Sequence, residues 1–143
     1  MKWSTAFRQT EKLLSEQRRV STICYNENEE GFDYLSETSD DESDLENDIT
    51  WIAYKQSYFS SIIKPQQPFQ FKKSKMIVKT YPEGHQKENT HVKDFQSVLS
   101  LNMDKNTNNT VSFKWFFGPN DYEILNEYNS EYDEILNFGW GLF

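Results

Sequence analysis

Val111, Phe113 and Trp115 alternate with Ser112 and Lys114, and the run continues through Phe116 and Phe117 to Gly118-Pro119. A repeat of two is the signature of a half-buried strand, and a Gly-Pro pair stops it. Asn120 or Asp121 then stands where a helix cap belongs, with Ile124, Leu125 and Tyr128 following on one face. A second short turn, Glu131 to Leu136, carries Ile135 and Leu136. A strand, a hard corner and two helical turns therefore end the chain. Their apolar stripe of Tyr122, Ile124, Leu125, Tyr128, Ile135 and Leu136 needs a surface to cover, and Trp140 and Phe143 follow it.

Upstream, the same two-residue repeat recurs. Val20 to Asn26 is a strand candidate, Asn26 to Gly31 a turn, and Phe32 to Leu35 a short strand. Ile49 to Lys64 forms either two strands or one long bent one, with Trp51, Ala53 and Lys55 alternating with Ile52 and Tyr54. Phe69 to Tyr81 and His91 to Asn102 follow, the latter with Phe95, Ser97, Leu99 and Leu101 on one face. Lys2 to Arg19 is ambiguous: Trp3 to Arg8 could be an extended piece and Thr10 to Arg19 holds good helix formers, and the segment as a whole reads as loop or short helix. Six or seven strands with short turns and a helical tail specify an all-β antiparallel β-sandwich with short C-terminal helices.

At 143 residues there is room for one domain. Aromatics make up 16% and provide large buried areas, so a core is attainable despite a mean hydropathy of -0.86. The net charge of -8 argues against a nucleic-acid surface, which needs a basic patch, and against docking on anionic lipid. The lysines at 72, 73, 75 and 79 make the one basic stretch, and lysines along an edge strand discourage pairing between molecules. No stretch approaches the ~20 apolar residues that cross a bilayer.

Chemistry is sparse. Glu37 to Asp48 holds seven carboxylates and no base, but it has no glycine at the sixth loop position and lacks the alternation of a calcium loop. It reads as a solvated loop held open by its own repulsion. His85 and His91 lack a third ligand on a shared face. Cys24 is the sole cysteine and sits in an apolar-leaning run, as a structural thiol does. Nucleophile, phosphate-loop and dinucleotide motifs are missing. The residues point to no enzyme, no cofactor and no metal.

Two stretches carry a resemblance. Phe116-Phe117-Gly118-Pro119-Asn120-Asp121-Tyr122-Glu123-Ile124-Leu125, followed by Phe138-Gly139-Trp140-Gly141-Leu142-Phe143, resembles the end of the large periplasmic domain of the YidC/Oxa1/Alb3 membrane protein insertases. Trp51-Ile52-Ala53-Tyr54-Lys55-Gln56-Ser57-Tyr58-Phe59 resembles that family's Trp-aromatic-Lys-Phe-Phe stretch. Both look most like the bacterial YidC branch in its Bacteroidetes form.

The resemblance implies part of a β-supersandwich similar to sugar-mutarotase folds, on the periplasmic side of the bacterial inner membrane. Residues 1–143 would be one periplasmic domain fragment, with 1–118 mainly β and 119–143 a helical tail leading towards a transmembrane helix beyond this chain. The implied role is assistance to the insertion and folding of inner-membrane proteins. The implied partners are Sec translocon accessory subunits and nascent membrane proteins. A sandwich cut this way leaves a sheet edge open to dimerisation. Tyr122 to Trp140 is expected to act as a bracket that positions the membrane part, with Trp140 suited to the headgroup level. Two other readings compete: a secreted β-sandwich binding or adhesion module, and a sugar-active enzyme on a mutarotase-like sandwich.

Overall fold

The structure is a computed structural model that describes residues 1–103 and 110–137. Two antiparallel sheets face each other. The first has the order β1-β8-β7-β4 and the second β3-β2-β5-β6-β9. The strands are β1 (Lys2–Arg8), β2 (Thr22–Glu27), β3 (Gly31–Tyr34), β4 (Asp41–Glu42), β5 (Ile49–Lys55), β6 (Phe59–Pro65), β7 (Lys75–Lys79), β8 (His91–Val98) and β9 (Phe113–Pro119). Helix α1 (Leu14–Val20) joins the sheets, and α2 (Tyr122–Tyr128) and α3 (Glu134–Asn137) follow β9. The β-sandwich expected from the strand pattern is what forms. The β2–β3 turn places Glu29 and Gly31 at positive φ, which the glycine adopts without strain.

Register decides which residues meet. Ile23, Ile52, Tyr54, Ile63, Phe69, Val78 and Phe95 fill the space between the sheets and are fully buried. Trp3 of β1 stacks on Tyr54 with ring centroids 3.6 Å apart, and the Tyr54 hydroxyl donates to the Trp3 carbonyl at 2.7 Å. Buried aromatics with a satisfied polar tip give both area and orientation. The segment that read as loop or short helix thus divides in two. Lys2–Arg8 is a strand, because Trp3, Thr5 and Phe7 alternate towards the core, and α1 follows it. Arg18 of α1 is stapled to the other sheet: its guanidinium donates to the carbonyls of Val92 at 3.0 Å, His91 at 2.8 Å, and Glu88.

The acidic run differs from expectation. It is built into the fold rather than held open. Asp40 accepts from the Thr80 amide at 2.7 Å, Asp41 from the Ser36 amide at 2.8 Å and Asp48 from the Phe71 amide at 3.1 Å. Glu42 pairs with Lys75 at 2.9 Å, and Leu45 packs on the inner core. Backbone amides facing carboxylates offset the mutual repulsion that the bare sequence suggested. The lysines of β7 also lie elsewhere than on an outer edge, since β4 pairs with that strand at Ile77 and Val78.

Two buried lysines anchor the start of this run. Lys93 Nζ donates to the Ser21 and Glu37 carbonyls, each at 2.6 Å, and Lys55 Nζ lies 3.8 Å from the Glu37 carboxylate. Burial, more than its neighbours, pulls the Lys93 ammonium down from its ordinary 10.5 to about 8. Between those values the unfolded chain holds a proton that the folded chain has released, so stability rises with pH. From pH 7 to about pH 9.5 this ammonium alone should add about 2 kcal/mol, partly offset near the upper end by the Cys24 thiol, which burial keeps protonated in the folded chain after it has ionised in the unfolded one. Above that range burial holds the Tyr25 and Tyr54 hydroxyls protonated in the folded state, and stability falls again. Urea unfolding at the two pH values checks this, and Lys93→Met should flatten the rise. A wild-type curve that falls across the window would contradict it.

Candidate functional site

The C-terminal element is seated from both ends. After β9, Asn120 locks the β5–β6 hairpin tip. Its amide nitrogen donates to the Tyr58 carbonyl at 2.6 Å, its side-chain nitrogen to Gln56 O at 2.7 Å, and its side-chain oxygen accepts from Ser60 Oγ at 2.5 Å. Asp121, rather than Asn120, caps α2 by accepting from the Ile124 amide at 3.1 Å. Asn129 then ends α2 and turns the chain through the Glu131 amide at 2.9 Å.

Beneath α2 and α3 lies the outer face of the second sheet. Cys24, Trp51, Ala53 and Ile62 point that way because they alternate with Ile23, Ile52, Tyr54 and Ile63, which point inward. Leu125, Tyr132 and Ile135 cover them together with Phe116. Trp51 is the floor of this socket. Its ring meets Tyr132 edge-on at 5.2 Å, and its indole nitrogen donates to Glu131 Oε2 at 2.9 Å. Cys24 is sealed underneath with no exposed surface, and burial pushes its thiol well above the usual range.

The single apolar stripe read from the sequence divides here. Leu125 and Ile135 are fully buried and Leu136 packs at the rim. Tyr122, Ile124 and Tyr128 face outward, Tyr128 while resting one edge on Phe116. At 100° per residue the six positions do not share one face. Trp140 lies outside the described residues. Tyr132, Trp51, Glu131 and Asn120 belong to the element and were missed. The hydrophobic spacing of Tyr132 to Leu125 and Ile135 was the available signal for the first. Trp51 meets the element only through tertiary packing, and Asn120, read as a possible cap, instead ties it to the β5–β6 hairpin.

A second apolar surface lies on β9. The alternation expected there is present, but its face is uncovered. Phe113, Trp115 and Phe117 are 38%, 47% and 68% exposed, while Phe116 on the opposite face is buried. Cross-strand pairing sets Trp115 beside Ile63 and Phe117 beside Ser61, on the side of the inner core. The first sheet ends at β1, whose Trp3 reaches only Trp115, edge-on at 5.5 Å. The open groove of about 510 Å³ lined by Glu16, Arg19, Glu37 and Tyr58 is less informative. Two of its carboxylates are already paired, Glu16 with Arg19 and Glu37 with Lys55. Among the described residues no His, Cys, Asp and Glu are grouped to hold a metal ion, and no helix is long and apolar enough to cross a membrane.

Comparison with known proteins places the chain. The family model described as YidC periplasmic domain matches residues 8–143. A membrane protein insertase YidC of Azobacteroides pseudotrichonymphae is 27% identical over 151 residues, covering 100% of this chain and 24% of that protein. That of Bacteroides fragilis is 29% identical, covering 98% and 23%, and that of Cytophaga hutchinsonii 30% identical, covering 90% and 22%. The chain thus spans about a quarter of the length of the curated relatives it matches. No solved structure matches it. The chain belongs to the YidC periplasmic domain family, the β-rich domain on the periplasmic side of bacterial inner-membrane protein insertases.

Proposed function

We propose that this domain assists the insertion and folding of inner-membrane proteins by acting as a bracket. The segment from Tyr122 to Trp140 sets the depth and angle of the membrane part that follows in its relatives. The observation that carries this reading is the seating of Leu125, Tyr132 and Ile135 on Trp51 and Ala53 with almost no exposed surface. A segment held that firmly transmits the orientation of the sandwich. Tyr122, Ile124 and Tyr128 are left for contact with Sec accessory subunits or emerging client chains. The test is complementation of an insertase-depleted strain by an insertase carrying this domain with Leu125→Asp and Leu136→Asp. Insertion should fail, while Leu13→Asp at an exposed position should leave it intact. Replacing the acidic run is not a neutral control, because the fold uses it. Normal insertion by the double variant at normal abundance would sink the bracket.

A second contact is favoured by the β9 edge. Among the described residues β9 has no strand on its outer side, and that edge with its exposed aromatic row suits pairing with a second copy of the chain. An antiparallel pairing centred on Phe116 would set Trp115 opposite Phe117 of the other copy, twice by symmetry, and keep the two Lys114 side chains apart. Sedimentation should show a concentration-dependent dimer that Trp115→Lys with Phe117→Lys removes. A monomer at every concentration would dismiss this contact.

A further inference from the structure

The outward side of α2 combines exposed apolar side chains with charge of one sign. Ile124 and Tyr128 stand four residues apart, and therefore together on one flank, and Tyr122 lies on the other. Between and beyond them come Glu123, Glu127 and Glu131, with Asp121, Asp133 and Glu134 at the two ends. From Trp115 to Phe143 there are six carboxylates and no lysine, arginine or histidine. Among the described residues the ion pairs engage Glu16, Glu37 and Glu42, and none of these six. Two of the six are engaged, Asp121 by the Ile124 amide and Glu131 by the Trp51 indole, while Glu123 and Glu127 stand exposed with no ion-pair partner among the described residues. Burial and the neighbouring Asp133 and Glu131 carboxylates push the Glu134 carboxyl up, a sign of mutual crowding.

We propose that the outward face of α2 docks a basic, apolar segment of a protein partner, its leucine-like side chains on Ile124 and Tyr128 and its lysines or arginines on Glu123 and Glu127. Charge complementarity selects this occupant. An anionic bilayer surface would be repelled by these carboxylates. A second copy of this chain docked through this same face would set six carboxylates against an identical six and be repelled there. An apolar contact with a charged rim is the usual anatomy of a protein interface. The proposal extends the bracket reading outward from the same element, but it is tested separately, by binding in solution.

The isotopically labelled chain is titrated with a short peptide of alternating leucine and lysine and followed by amide shifts. Shifts should concentrate on residues 121–134 and weaken with added salt. The leucine–glutamate peptide of the same length should not bind. Glu123→Gln with Glu127→Gln, and separately Tyr128→Ser, should each lower affinity roughly tenfold. These side chains are exposed, so the variants keep the fold and the Leu125 socket. Failure of binding with normal insertion would overturn the docking face and leave the bracket standing. The proposal is also overturned by shifts centred on Trp115 and Phe117, by equal binding of the acidic peptide, by undiminished binding of the variants, or by vesicles of phosphatidylethanolamine and phosphatidylglycerol that shift the same residues.

Discussion

Leu125→Asp is expected to detach α2 and α3 from the sandwich while the sheets stay folded. Leu125 has no exposed surface and sits among Cys24, Trp51, Ala53 and Ile62. A carboxylate there has no donor to meet it, and its ionised form is strongly disfavoured away from water. The loss in the stability of the seated state should be about 4 kcal/mol. Release of two short helices limits the damage, because the inner core of Ile52, Tyr54, Phe69 and Phe95 lies on the other side of the sheet. Native hydrogen exchange should therefore show amides of 122–137 losing protection while those of β2 and β5 keep theirs. Leu125→Met, close in volume, should cost less than about 1.5 kcal/mol and keep the helices seated. Uniform loss of protection across the chain would mean that the bracket and sandwich form one cooperative unit, contrary to this account.

Trp51→Ala should be nearly as damaging and by a different route. It empties the floor of the same socket, where the ring is fully buried and touches Tyr132 at 5.2 Å and Phe32 at 6.0 Å. Truncation of a buried tryptophan typically costs about 3–5 kcal/mol. Here the lost indole hydrogen bond to Glu131 at 2.9 Å adds to it. Trp51→Phe separates the two contributions. It keeps an aromatic floor and loses the hydrogen bond, and should cost about 1 kcal/mol from that term. A double-mutant cycle with Tyr132→Ala should give a coupling on the order of 1 kcal/mol, since the rings are in contact. Additive losses would show that the ring contact carries no energy of its own.

Both predictions rest on residues that differ in how visible they were. Leu125 and Ile135 could be read as buried from helical spacing after a Gly-Pro corner. Trp51 was visible as a strand residue, but not as the seat of a helix eighty residues later. Nothing local records that contact. Tyr122, Ile124 and Tyr128 read as part of the same stripe, yet they face outward. A helix of seven residues rotates them past the sheet that Leu125 meets. The acidic run misled for a related reason. Its charge was counted, while of the amides that neutralise it only that of Ser36 is a near neighbour, and those of Phe71 and Thr80 arrive from distant parts of the chain.

By itself the sequence determined the strand class, the corner at Gly118-Pro119, the capped helix after it and the resemblance to the insertase family. These follow from residue spacing of two or 3.6 and from backbone restrictions at glycine and proline, which act over a few neighbours. Only the tertiary structure decided which face of β9 is covered. The alternation of Phe113, Trp115 and Phe117 specifies that they share a face, but their exposure depends on the opposing sheet ending at β1. The same holds for Lys93, whose burial comes from the Ser21 and Glu37 carbonyls closing over it from distant positions. Burial is a property of what lies opposite, and no local pattern contains that partner.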